Sequence, residues 1–202
     1  FVDEIDLRYN RWERVAIPAT QAVMYCIMDV SGSMGEHEKE LSKSFFMLMY
    51  LFLFKQYKKV NIVYIRHHSI AKVVDEDEFF HSRESGGTVV SSGLEMMYNH
   101  IKDHYPLDQW NIYGCQCSDG DNFPHDRHAT REFMLKLLRM VQYYAYVEID
   151  QGGSRRSDLW AQYEDLTATH PHFNMNMVSD PSEIYPVFRK LFEKRQPTVR
   201  TS

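Results

Sequence analysis

The sequence predicts an α/β fold: a doubly wound, mostly parallel sheet flanked by helices in three layers. Short apolar runs end near Asp29, His67, Asp119 and Asp150, and stretches of helical spacing separate them, which is the alternation a parallel sheet requires. These runs are continuous rather than alternating, as suits strands covered on both faces. The 202 residues, 44% hydrophobic and 25% charged, suffice for one domain with a sizeable core; they exclude a staple-dependent miniprotein and a wholly disordered chain.

In chain order, strands are expected at residues 22–28, 60–67, 112–116 and 143–149, with an edge strand at 173–178. Residues 72–77 are expected to return as a short hairpin arm along an antiparallel edge. The first helix is expected over 35–57. A second, over 92–104, opens on Ser92 and Glu95, the pattern of a capping box that satisfies orphan backbone donors. A third, over 127–140, repeats Phe133, Leu137 and Leu138 at helical spacing. A fourth follows Ser157. The last begins at Asp180, where Asp180, Pro181 and Glu183 combine an N-cap, a first-turn proline and a capping glutamate. No repeat or long linker interrupts the pattern, so residues 22–196 read as one domain, with an N-terminal extension over 1–21 packing on it and a tail over 197–202.

The net charge of -5 gives no basis for gripping a nucleic-acid backbone. The longest apolar run, residues 45–54, is too short to cross a bilayer, so neither nucleic acid nor membrane is expected as a partner. That run is apolar on nearly every side, whereas a helix covering a sheet needs one apolar stripe. A second copy in a homo-oligomer, a partner protein, an N-terminal part of a longer protein or the chain's own residues 6–15 would cover it. The opening Phe1, in place of Met, suggests such a longer protein. Three cysteines, Cys26, Cys115 and Cys117, and no secretory h-region point to a reducing cytoplasm.

The most specific local feature is Asp29-Val30-Ser31-Gly32-Ser33, between a buried strand and a long helix. In an open α/β sheet this is the carboxyl edge, where ligands bind at a topological switch point. A bend accommodated by Gly32 converges the oxygens of Asp29, Ser31 and Ser33. Ser85-Gly86-Gly87-Thr88 brings a threonine hydroxyl to the same edge, and Ser118-Asp119-Gly120 ends a strand with a carboxylate. The set Asp29, Ser31, Ser33, Thr88 and Asp119 offers hard oxygen donors, which suit Mg²⁺ or Mn²⁺.

This set resembles the metal-ion-dependent adhesion site of the von Willebrand factor A fold. The stretches DVSGSM, SRESGGTVVSSGL, WNIYGCQCSDGDN and YYAYVEI, spread over residues 29–149, resemble the A-type domain of the bacterial YeaH/YhbH family. The resemblance implies a Rossmann-like three-layer domain in which Ser31 and Ser33 bind the ion directly, Thr88 directly or through water, and Asp29 and Asp119 mainly through water and hydrogen bonds. It implies an open coordination position that accepts an Asp or Glu side chain from a partner protein. Asp29 and Asp119 bring up to two negative charges and the hydroxyls none, so the ion keeps its Lewis acidity for that carboxylate. The resemblance also implies a setting: such proteins are genetically grouped with a PrkA-type serine kinase and a SpoVR-like protein in stationary-phase, nitrogen-stress or sporulation responses. The expected role is a non-enzymatic adaptor.

Gly86, Gly87, Asp121 and His125 are expected to border the partner pocket. Asp121, His125, Asp126 and His128 are also candidate ligands for a second metal, with helix-flanking surface as the plainer reading. Cys26, Cys115 and Cys117 read as small buried hydrophobes before a zinc-thiolate site. Glu148, inside an apolar strand, needs a partner such as Arg66 or a helix N-terminus, and is a candidate for orienting the metal site. The nucleophile elbow of hydrolases and a phosphate loop with its lysine are missing from the sequence. Metal-assisted phosphoester hydrolysis and a scaffold whose ion only ties loops together remain as alternatives.

Overall fold

The computed structural model describes residues 20–81, 86–149 and 157–192. Its strands are β1 (Gln21–Asp29), β2 (Lys59–His67), β3 (Ala71–Val74), β4 (Trp110–Ser118), β5 (Tyr143–Ile149) and β6 (Phe173–Val178). They form one sheet in the order β3-β2-β1-β4-β5-β6. Every pairing is parallel except that of β2 with β3, which is antiparallel with Arg66 opposite Lys72. The expected doubly wound α/β architecture is therefore present.

β1 explains the arrangement. It is hydrogen-bonded on both sides, and every side chain from Ala22 to Met28 is buried. Alternation along the strand sends Ala22, Met24, Cys26 and Met28 to one layer and Val23, Tyr25 and Ile27 to the other. The first layer holds α1 (Glu36–Gln56), α2 (Glu76–His81) and α6 (Ile184–Phe192); the second holds α3 (Val90–His104), α4 (Arg127–Leu138) and α5 (Asp158–Thr169). Cys26, Cys115 and Cys117 are free and buried in the first layer. Burial raises the Cys26 and Cys115 thiols, the behaviour of core residues.

Several elements depart from the expected ones. α3 begins at Val90, so Ser92 is inside the helix and there is no capping box; its hydroxyl donates to the Val89 carbonyl at 2.7 Å. The hairpin arm stops at Val74, and Asp77 belongs to α2, whose few apolar residues carry no readable period. α4 follows a 3-10 turn over Pro124–Asp126 and ends at Leu138. Before α6, Asp180 accepts the Ser182 N–H as expected, but Glu183 accepts the N–H and hydroxyl of Ser179, and the α-helix starts only at Ile184.

The apolar helix α1 is covered on two flanks: Phe46 packs on Phe79 of α2, and Phe45 and Phe52 pack on Phe188 of α6. Met47, Leu51 and Phe54 stay exposed at 49%, 45% and 61%. Among the described residues, no helix is long and apolar enough to cross a membrane. The extension up to residue 19, Ser85 and the tail over 197–202 lie outside the described residues.

Candidate metal centre

Asp29 ends the central strand where the chain departs towards β2 on one side and β4 on the other, a topological switch point. The Val30 N–H donates to the His67 carbonyl at 2.9 Å, holding the first loop residue against β2. The Ser31 N–H donates to Asp29 Oδ1 at 2.8 Å, a side-chain turn of the kind aspartate favours, and the Met34 N–H closes on the Ser31 carbonyl at 3.1 Å. Gly32 is not needed for this bend: it has no positive φ, and a Cβ there would meet nothing within 4 Å.

The loop brings four of the five expected residues together. Ser31 Oγ lies 3.1 Å from Ser33 Oγ, and Ser33 Oγ donates to Asp119. Ser118, directly before Asp119, donates its hydroxyl to Asp29 Oδ2 at 3.3 Å and accepts the Gly120 N–H at 3.0 Å. Thr88 is buried on the loop before α3, whose position is set by the Val89 N–H donating to the His68 carbonyl at 2.9 Å. Among the described residues, no hydrogen bond joins Thr88 to the other four. The neighbouring glycines allow close approach: a Cβ would stand 2.8 Å from His68 Nδ1 at Gly86 and 2.8 Å from the Phe123 ring at Gly87, so each of those side chains would have to shift.

The site brings two carboxylates close together. Burial, and then the nearby Asp119, push the Asp29 carboxyl up to about 7, against the opposing hydrogen bonds from Ser31 and Ser118. A positive ion between the carboxylates would offset both causes by favouring their charged forms. The donors are carboxylates and hydroxyls, the chemistry of Mg²⁺ or Mn²⁺ rather than of a soft metal. Among the described residues, no group of three or more His, Cys, Asp or Glu side chains is gathered to hold a metal, so any ion here leans on the serine and threonine oxygens.

The remaining candidates separate. Asp121 is exposed at the rim, and its N–H donates to Asp119 Oδ1 at 3.2 Å. His125 is exposed and stacks on Phe123 with centroids 5.4 Å apart. Asp126, in contrast, is buried against Ser91 and Thr130, so Asp121, His125, Asp126 and His128 are not gathered into a second metal site. Glu148 accepts from Tyr146 Oη at 2.8 Å and from Ser157 Oγ at 2.5 Å; Ser157 is the N-cap of α5. The alternative partner Arg66 stands on β2, separated from β5 by both β1 and β4, 3.8 Å from Glu78. Glu148 and Ser157 also wall in Gly120 beside Asp119, which has φ +90 and no room for a Cβ. Sequence reasoning missed Asn122 and Ser91 altogether; an Asn shortly after a strand end was the available signal.

Comparisons with known proteins place this chain. It is 50% identical over 196 residues to a UPF0229 protein of Serratia proteamaculans and 51% identical over 198 residues to one of Pectobacterium atrosepticum, covering 96% of this chain and 46% of each relative. The chain thus spans about half the length of the curated relatives it matches. Among solved structures, it is similar to the D319A mutant of the PilB minor pilin from Streptococcus sanguinis (TM-score 0.60, 10% identity, 89% of this chain and 62% of that one). It is also similar to proximal thread matrix protein 1 from the mussel byssus (TM-score 0.56, 12% identity, 86% and 47%). At these identities the likeness is one of fold. The model of the bacterial family described as Protein of unknown function (DUF444) matches residues 1–195, and the chain belongs to that family.

Proposed function

We propose that this chain is a metal-ion-dependent protein-interaction module of the von Willebrand factor A type. Asp29, Ser31, Ser33, Thr88 and Asp119 would hold Mg²⁺ or Mn²⁺, and the ion would accept an acidic side chain of a partner at its open position. The observation that carries this reading is the run of hydrogen bonds Asp29, Ser31, Ser33, Asp119 across two loops 86 residues apart, around a carboxylate raised by burial and then by Asp119. Hydroxyl oxygens that lack charge leave the ion electrophilic towards an incoming carboxylate, and the exposed Gly86, Asp121 and His125 would shape the rim that selects it.

Following the family resemblance, the partner we propose is a PrkA-type serine kinase, with a SpoVR-like protein in the same cytoplasmic stress or sporulation assembly, and the module itself has no enzymatic activity. The test is calorimetric titration of Mg²⁺ and Mn²⁺ into this chain and its Asp29→Ala variant, followed by binding of the purified kinase with the ion or with EDTA. The reading requires saturable uptake lost in Asp29→Ala and kinase binding that EDTA abolishes. Kinase binding unchanged by EDTA would leave the ion a loop tie only. Metal-dependent hydrolysis of an aryl phosphate, abolished by Asp29→Ala, would make the site catalytic instead.

A further inference from the structure

α3 starts without a cap of its own. Its N-cap is Val89, and no side chain of that residue or its turn satisfies the first backbone donors, which a helix cannot leave orphaned when buried. The structure supplies the acceptors from a distant loop. Asn122 Oδ1 accepts the Val90 N–H at 3.4 Å, and Asp126 Oδ2 accepts the Ser91 N–H at 2.9 Å, while Asp126 Oδ1 takes the Ser91 hydroxyl. Thr130 completes the cluster, donating to Asp126 Oδ2 at 2.8 Å and accepting from Asn122 Nδ2 at 3.0 Å. Asn122, Asp126, Ser91 and Thr130 are all buried.

The two segments joined in this way are the ones that bear metal-site residues. Thr88 lies two residues before Val90, and Asp119 lies three residues before Asn122. The same pair of loops meets again where Phe123 fills the space over Gly87. We infer that Asp126, assisted by Asn122, is a positioning residue of the metal centre: a clasp from a distant loop of the same chain that fixes Thr88 relative to Asp119 without touching the ion.

A clasp of this kind predicts an effect on ion affinity separable from stability. Groups that orient metal ligands from behind typically change affinity by about 10–100-fold when altered. The inference rests on the proposed metal site, so Mn²⁺ is titrated calorimetrically into wild type first, then into Asp126→Asn, Ser91→Ala and Leu166→Val. The last trims a buried α5 side chain away from the clasp and serves as a destabilised control. The expected result is binding weakened about 10–100-fold in Asp126→Asn and about threefold or more in Ser91→Ala, at a temperature where thermal melts show each variant folded. Leu166→Val should bind as wild type despite a lower melting temperature. Wild-type affinity in Asp126→Asn, or in Ser91→Ala where Asp126→Asn does not fold, overturns the clasp and leaves the metal site standing. Absence of Mn²⁺ uptake by wild type overturns the site itself, and the clasp with it.

Discussion

Ser118 secures Asp29 from the neighbouring strand, donating its hydroxyl to Oδ2 at 3.3 Å while accepting the Gly120 N–H at 3.0 Å. One hydroxyl thus couples the end of β1 to the turn that carries Asp119. Ser118→Ala removes a hydrogen bond from a buried carboxylate and orphans a buried amide, which costs about 1–3 kcal/mol. Urea unfolding should register that loss, and Mn²⁺ titration should show weaker uptake than wild type.

Metal uptake should depend on pH through Asp29. With its carboxyl raised to about 7 by burial and Asp119, protons compete with the ion below neutrality. Affinity for Mg²⁺ should rise about tenfold from pH 6 to pH 8, measured by calorimetry in several buffers to count the protons released. In the metal-free protein the sign is opposite. A carboxyl raised from 3.8 to about 7 favours the fold fully below its unfolded value, and that contribution is lost as pH climbs to the folded value.

His67 works against that trend. It is buried with neither ring nitrogen hydrogen-bonded, and burial pushes it down to about 4, with the Asp126 carboxylate opposing. The unfolded chain takes a proton near pH 6.5 that the folded chain refuses until about 4. Its contribution is therefore complete above 6.5 and is lost as pH falls, by up to about 3 kcal/mol. His67→Leu should lose less stability than wild type in urea melts taken between pH 7 and pH 4.

Gly120 is the glycine whose freedom the site uses. Its φ is +90, and a Cβ would fall 2.3 Å from Ser157 Cβ and 2.7 Å from Glu148 Oε2. Gly120→Ala combines a strained backbone with a clash against an α5 cap and should cost about 2 kcal/mol or more. Gly32→Ala, with open space around it, should stay within about 0.5 kcal/mol of wild type. Thermal or urea unfolding of the two variants checks the contrast.

The layers and the strand positions were legible because continuous apolar runs have few other uses: β5 and β6 occupy residues 143–149 and 173–178 as expected. Asp29, Ser31 and Ser33 were readable as a group because they are neighbours in the chain, and Asp119 because it ends a strand. The start of α3 was not, because its acceptors come from Asn122 and Asp126, more than thirty residues away, and local capping patterns cannot register a cap supplied from elsewhere. The glycines misled for a related reason. Gly32 sits in a conspicuous motif but bends nothing, whereas the requirement at Gly120 comes from Ser157 and Glu148, which only the assembled sheet brings close.

The central position of β1 has a consequence for how the molecule breathes. The amides of β1 up to Met28, bonded on both edges, should be among the slowest in the protein to exchange with solvent. The proposed ion would rest at the end of that slow-opening strand, so its seat would be among the last parts of the protein to come apart.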